Sequence, residues 1–125
     1  MDKALEDLVR SRARNRCEYC HYPLPPFHFE HIIARKHRGA TSEDNLAFSC
    51  MNCNFYKGPN IAGIDPQTNQ IVPLFHPRRQ RWTDHFRWRG QILIGVTPTG
   101  RATIAVLEIN HPLRIEARED LRAEG

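Results

Sequence analysis

The sequence predicts a small α+β domain, and three observations lead to this fold class. Apolar residues recur at helical spacing near both ends of the chain. Short runs of the kind typical of strands lie between these ends. Two Cys-x-x-Cys pairs, "CEYC" and "CMNC", bracket the first of those runs. With 125 residues, 40% hydrophobic and 26% charged, the chain suits one globular domain with a modest core.

The first half of the chain divides into predicted segments in a clear order. An apolar stripe at helical spacing predicts a helix over 3–14. "FHFEHII" (27–33) alternates like a strand, and the apolar run "LAFSC" (46–50) fits a second strand. The polar segment 35–45 between them predicts a loop. "MNCNFYKG" then fits a short helix that ends at the following Gly-Pro.

The second half predicts a small α/β extension of this core. "GIDPQTNQ" signals a turn inside a loop over 59–70, and "IVPLF" (71–75) is a short extended piece. "QILIGV" (91–96) reads as a strand. Residues 101–108 favour a helix, although their β-branched residues would also suit a strand. A charged helix is predicted over 112–123.

The distribution of charge favours a polyanionic partner. The net charge is +4, and arginines gather in two clusters, at residues 10–16 and at residues 78–89, the second interleaved with aromatics. Such clusters suit phosphate backbones and bases, although most charged runs are simply solvated surface. No apolar run approaches the ~18 residues of a membrane span, and the charged N-terminal stretch lacks the apolar region of a secretory signal. We therefore expect a cytoplasmic protein with no membrane partner.

The four cysteines predict a structural zinc site. Cys17 and Cys20 form one pair, and Cys50 and Cys53 form the other. A two-residue gap lets both sulfurs of a pair reach one ion at ~2.3 Å, and four thiolates leave no open position for water. Cytoplasmic thiols stay reduced, so disulfides are not expected. The alternative is four buried cysteines without a ligand.

Polar residues between the cysteine pairs and directly after the second pair suggest a second, catalytic site. Glu30 and Asn54 offer the hard oxygen ligands that Mg²⁺ or Mn²⁺ prefers. His31 is a suitable general base beside such an ion, because the pKa of histidine lies near working pH. Base, metal and basic surface together suit phosphodiester hydrolysis. One difficulty is that Glu30 and His31 are consecutive and point to opposite faces of a flat strand, unless the strand ends or twists there.

The segment "CEYC…FHFEHIIARKHRGATSEDNLAFSCMNCNFYKG" resembles the HNH endonucleases, in their four-cysteine zinc subtype of small bacterial proteins. The resemblance implies a ββα-metal (His-Me finger) core over 17–58 with flanking helices and a C-terminal extension over 59–125, all one HNH endonuclease domain. It implies that His31 takes a proton from the attacking water and that Asn45 holds the loop and orients this base. It implies that Glu30 and Asn54 bind the catalytic metal. Glu30 stands where the family more often has aspartate.

Other polar residues have several candidate roles. His28 could be an extra metal ligand, a phosphate contact or a buried hydrogen-bonding group. Glu30 could instead pair with a nearby arginine, Asn54 could cap a helix or face solvent, and Asn45 could be structural rather than chemical. The residues expected to contact nucleic acid are Arg35, His37, Lys57, Arg78, Arg79 and Arg81.

The sequence therefore predicts a metal-dependent DNA endonuclease that nicks double-stranded DNA. Its cofactors would be one structural Zn²⁺ and a catalytic Mg²⁺ or Mn²⁺. Cutting both strands would need a homodimer or two successive visits. The alternatives are a zinc-stabilised nucleic-acid-binding module without catalysis and an enzyme that cuts RNA with the same site.

Overall fold

The computed structural model describes residues 1–125 and contains four helices and three two-stranded antiparallel hairpins. The helices are α1 (Lys3–Arg12), α2 (Met51–Lys57), α3 (Pro98–Val106) and α4 (Pro112–Ala123). The strands are β1 (Phe27–His31), β2 (Leu46–Cys50), β3 (Ala62–Ile64), β4 (Ile71–Pro73), β5 (Phe86–Arg89) and β6 (Ile92–Gly95). None of the helices has the length and apolar character that crossing a membrane requires. The predicted α+β class is confirmed.

The hairpin β1–β2 and the helix α2 form the centre of the fold. Phe29 pairs with Phe48 and His31 with Leu46, so the 35–45 loop closes the hairpin. Alternation sends the phenylalanines to one face, where α1 packs against them through Val9. Glu30 points to the other face, toward the core that contains the cysteines. The sequence predicted this ββα order correctly, because both strands and the helix have strong local patterns.

A buried ion pair joins the hairpin β3–β4 to α3 in the C-terminal extension. Asp65 begins the turn between β3 and β4 and accepts two hydrogen bonds of 2.9 Å from the Arg101 guanidinium. It also accepts from the Thr68 hydroxyl and from the backbone N–H of Gln67. Such a two-pronged contact is geometrically specific. The turn signal in "GIDPQTNQ" thus has a tertiary role that its local pattern did not reveal.

Three expectations for the extension need correction or closer bounds. The 59–70 segment is not a continuous loop, because residues 62–64 pair with residues 71–73 as a strand. Residues 86–89 form a strand that pairs with β6, a strand that the sequence analysis does not predict because it assigns "FRWR" only to a basic cluster. Its apolar–basic alternation is itself a strand pattern. The helical interpretation of 101–108 is confirmed, and that helix begins earlier, where Thr97 caps it.

Candidate functional site

The four cysteines converge on one point in the core. Cys17 and Cys20 lie in the turn before β1, Cys50 ends β2, and Cys53 lies in the first turn of α2. Their sulfur atoms all lie within 4.8 Å of one another, and all four side chains are buried. The backbone N–H of Cys53 donates to the sulfur of Cys50, as that of Tyr19 does to Cys17, both at 3.4 Å. This donor set fits a tetrahedral structural metal such as zinc.

The electrostatics of the cluster also fit a bound cation. Burial raises the pKa of Cys17 and Cys53 well above that of an ordinary thiol. Hydrogen bonding from the other cysteines, Cys17 first, lowers the pKa of Cys50. Burial thus opposes a cluster of bare thiolates at this point, and a bound metal ion would offset that cost by stabilising the thiolate form.

Glu30 does not lie where a catalytic metal ligand is expected. Its side chain is buried, with 6% of its surface exposed. Oε1 accepts a hydrogen bond of 2.6 Å from the Tyr19 hydroxyl, and Oε2 lies 2.5 Å from the Lys57 ammonium. Burial raises the pKa of Glu30, while Lys57 and Tyr19 oppose that rise. Both oxygens already have strong partners, so Glu30 forms an ion pair, with Lys57 and not with the arginine considered from the sequence, and the assignment as a metal ligand is corrected.

Lys57 likewise does not lie on a nucleic-acid surface. Only 1% of its surface is exposed, and its ammonium donates to the carbonyl of Ile32 at 2.8 Å as well as contacting Glu30. The expected phosphate contact is therefore wrong. With Tyr19 and Glu30, this lysine joins the first cysteine pair, β1 and α2 through charged hydrogen bonds in the core.

Asn45 holds the loop that follows β1. Its amide oxygen accepts from the N–H of Ile33 at 2.8 Å, and its amide nitrogen donates to the carbonyls of Ile33 and Ala40 at 2.9 Å. Gly39 passes so close that an added Cβ would lie 1.7 Å from the Ile33 carbonyl oxygen. The structural role considered for Asn45 therefore has a geometric basis, and the residue acts on the site only by holding this loop.

His31 lies at the end of β1, where this loop begins. The side chain is half-buried, and Nε2 is 2.8 Å from the Thr41 hydroxyl across the loop. Burial, followed by the positive charge of Arg35, lowers the pKa of His31 below its ordinary value. The imidazole is therefore neutral at physiological pH, as a base must be. His31 and Glu30 do occupy opposite faces of the strand, so the two side chains do not converge.

Several predicted ligands and contacts remain accessible. Asn54 is half-buried on α2, and its amide makes no hydrogen bond within the chain. His28 is exposed on β1 and also has no hydrogen-bonding partner. No cluster of three histidine, cysteine or acidic ligand atoms exists besides the four cysteines. The chain thus offers single donors near α2 and β1 and no second preformed ligand set.

The first arginine cluster of the sequence lies beside the segment that carries the second. Arg12, Arg14 and Arg16 line a cavity of about 180 Å³ together with Gln80 and Trp82 from the second cluster's segment. The expected nucleic-acid contacts Arg35, His37, Arg79 and Arg81 are exposed. Arg78, by contrast, is not exposed.

Arg78 is half-buried and forms a salt bridge with Glu18, so its predicted contact with nucleic acid is corrected. Burial, followed by the charge of Arg12, lowers the pKa of Arg78 to about 10. The Glu18 carboxylate also accepts from the backbone N–H of Phe48 at 3.0 Å. Glu18 therefore links the first cysteine turn to β2, and Arg78 ties this turn to the segment that follows β4.

Sequence reasoning missed two residues that contact the central groups. Tyr19 is fully buried between the cysteines of the first pair and donates to Glu30. Arg114 donates to the sulfurs of the second pair from a distant helix. The pattern "CEYC" gives no sign of the tyrosine's partner, and α4 reads as an ordinary charged helix.

Comparison with known proteins gives one family match. Residues 17–59 match the family model described as HNH endonuclease. No curated protein and no solved structure matches the chain. The matched residues contain both cysteine pairs, β1, β2 and α2.

Proposed function

We propose, on the premise that residues 17–59 form a domain of the HNH endonuclease family, that this chain is a nuclease that nicks double-stranded DNA. The observation that carries this proposal is the placement of His31. Its imidazole is neutral and partly accessible, and it stands at the start of a loop that Asn45 holds with three hydrogen bonds. A binding module without catalysis has no need of a base held in this way.

His31 would act as the general base. Its Nε2 is engaged with the Thr41 hydroxyl, whereas Nδ1 has no hydrogen-bond partner. If Nε2 carries the proton and donates it to the hydroxyl oxygen, Nδ1 presents a lone pair that can take a proton from the attacking water. The water oxygen then bonds to phosphorus while the bond from phosphorus to the 3′ oxygen breaks. The leaving 3′ alkoxide takes a proton from bulk water, which gives the 5′-phosphate and 3′-hydroxyl products that the family implies.

The catalytic divalent ion would have to bind without the carboxylate of Glu30. Glu30, the expected charged ligand, is bound to Tyr19 and Lys57 and does not fit that role. The accessible donors are the Asn54 amide oxygen and the His28 imidazole. An Mg²⁺ or Mn²⁺ ion at these donors would supply charge neutralisation at the phosphate. The mechanism derived for His31 does not depend on that ion's position.

The structural ion is zinc in this proposal. Four thiolates are soft ligands that select zinc over magnesium or calcium. The cysteine centre joins the start of the hairpin to the start of α2, so zinc binding would contribute folding free energy directly. Purified protein is expected to carry about one equivalent of zinc, and less than about half an equivalent without chelator treatment would contradict the site.

DNA would bind mainly through its phosphates. The exposed arginines give a sequence-independent affinity that falls as salt concentration rises. One chain carries one His31, so each binding event cuts one strand. A duplex cut would require a homodimer or a second visit.

The decisive experiment is nicking of supercoiled plasmid. Wild-type protein with Mg²⁺ or Mn²⁺ is expected to yield open circles, whereas His31→Ala and wild type with EDTA are not. His37→Ala is the matched control, because it removes an exposed loop histidine and is expected to weaken DNA binding at most. Equal nicking by wild type and His31→Ala would refute the proposal.

The rival function is a zinc-stabilised nucleic-acid-binding module. The missing second ligand cluster and the engaged Glu30 favour this rival over an enzyme with a complete preformed metal site. It predicts salt-sensitive DNA binding by wild type and His31→Ala alike, with no nicking under any divalent ion. Running the same series on a labelled RNA hairpin separates DNA cleavage from RNA cleavage.

A further inference from the structure

We infer that the C-terminal helix α4 is part of the cysteine metal centre, with Arg114 balancing the charge of its thiolates, and that metal loading holds this helix in place. Residue 114 lies far beyond the 17–59 segment that matches the HNH family. The inference rests on the zinc occupancy proposed above and not on nuclease activity.

Arg114 connects three parts of the fold. One guanidinium nitrogen, Nη2, lies 3.1 Å from the sulfur of Cys53 and 3.8 Å from that of Cys50. The other, Nη1, donates to the carbonyl of Leu107 at 2.5 Å and to that of Glu108 at 3.1 Å. Those carbonyls follow α3, so one side chain links α4, the end of α3 and the second cysteine pair.

The charge of the centre explains why an arginine lies there. Four thiolates around a divalent zinc ion carry two net negative charges, and a buried uncompensated anion is strongly unfavourable. Arg114 is 8% exposed and lies against two of the four sulfurs. Its guanidinium cancels one of these charges, and its N–H groups stabilise the sulfur lone pairs in the way that outer partners support metal ligands generally.

The packing of α4 shows why the helix depends on this contact. The buried residues of α4 are two arginines, Arg114 and Arg118, while Leu113 is 69% exposed. A cavity of about 320 Å³, lined in part by Cys20 and Cys50, separates this helix from α2. No apolar residue of the helix is fully buried, although Ile115, Ala117 and Leu121 are half-buried. Loss of the thiolates would leave a buried guanidinium without its anion.

Arg118 provides a matched control on the same helix. It lies one turn after Arg114 and is 7% exposed. It donates to the carbonyls of Gln91 and Ile109 at 2.9 Å and lies over the Trp88 ring at 5.5 Å, with no contact to sulfur. Substituting either arginine removes a buried cation and its bonds to carbonyls, but only Arg114 touches the metal centre.

The first test measures zinc affinity in the full chain. Zinc-loaded wild type, Arg114→Met, Arg114→Lys and Arg118→Met compete with a chromogenic chelator at pH 7.5. Arg114→Met is expected to bind zinc about 10- to 100-fold more weakly, the range typical for outer partners of metal ligands. Arg114→Lys should recover part of that loss, and Arg118→Met should stay within about 3-fold of wild type. Equal affinities for the Arg114→Met and Arg118→Met variants would overturn the inference.

A spectroscopic readout covers the case in which Arg114→Met folds poorly. In Co²⁺-loaded protein, N–H donors to sulfur raise the energy of the sulfur-to-cobalt charge-transfer band. Arg114→Lys, which keeps the charge but loses the paired donors, is expected to move that band to longer wavelength, while Arg118→Lys leaves it in place. An unchanged band in Arg114→Lys would show that the contact does not act on the sulfurs.

Hydrogen exchange of wild type tests the coupling to α4. When a chelator removes zinc, amides of residues 113–123 are expected to lose protection before those of α1, which contacts no sulfur. Unchanged protection of α4, or simultaneous exchange of the whole chain, would refute the coupling. Zinc content measured on the same sample separates this result from failure of the zinc proposal itself.

Discussion

Replacing Lys57 with methionine tests whether this lysine stabilises the core or contacts phosphate, as the sequence predicts. Methionine keeps the length and apolar stem but removes the ammonium, which contacts the Glu30 carboxylate at 2.5 Å and the Ile32 carbonyl at 2.8 Å. Glu30, 6% exposed, would retain only the Tyr19 hydroxyl. Breaking a buried pair in this way costs about 3–5 kcal/mol of unfolding free energy.

Calorimetry of the zinc-loaded protein measures this loss. At about 4 °C per kcal/mol for a chain of this size, the melting temperature should fall by about 12–20 °C. The double variant Lys57→Met/Glu30→Gln is expected to be more stable than Lys57→Met, because glutamine removes the unpaired charge and can still accept from Tyr19.

A small loss of stability together with weaker DNA binding would contradict the structural role of Lys57. If Lys57→Met loses less than about 1 kcal/mol of stability but binds DNA several-fold more weakly, the lysine is an accessible phosphate contact. The buried ion pair would then be refuted, and the Glu30 carboxylate would again be available to a metal ion. DNA affinity at two salt concentrations, measured on the same preparations, decides between the two readings.

Three further predictions concern the loop, the base and the extension. Asn45→Ala should destabilise the chain by about 1–3 kcal/mol, since it leaves the Ile33 N–H and carbonyl without partners, and should reduce nicking more than DNA binding. Because the pKa of His31 is lowered, the nicking rate at saturating metal should be flat through neutral pH and fall only below the ordinary histidine pKa of about 6.5; a rate that still climbs tenfold per unit above pH 7.5 would point to another base. The Arg101 guanidinium holds the pKa of Asp65 well below its ordinary value, so this pair stabilises the fold above about pH 4 and that contribution disappears on further acidification. Asp65→Asn should therefore be less stable than wild type at pH 7 in urea titrations, with a gap that narrows below about pH 4.

Local patterns were enough to predict most of the fold. The two hairpin strands, α2 and the terminal helix lie where apolar spacing, capping residues and Gly-Pro breaks indicated. The cysteine centre was equally predictable, because a two-residue gap places two sulfurs together whatever surrounds them. The missed strand at 86–89 shows the limit of this approach. Basic residues at every second position look like a binding patch until the partner strand is known.

The site was only partly predictable, and tertiary contacts explain the difference. His31 precedes and Asn45 ends one short connection between β1 and β2, so their relation follows from the nearby sequence. By its chemistry, Glu30 is equally suited to bind a metal ion and to form an ion pair. Only the positions of Lys57 and Tyr19 in the fold decide between these two roles.

The sequence by itself determined the ββα order of the core, the grouping of the cysteines in two pairs and the position of His31 at the end of β1, because each depends on residues that are close along the chain. Tertiary structure alone decided which charges are buried together. A carboxylate or guanidinium has no fixed role until the fold removes it from water and supplies its partner. Arg114 is the clearest case, since nothing in its helix indicates the sulfurs to which it donates, 61 and 64 positions earlier in the chain.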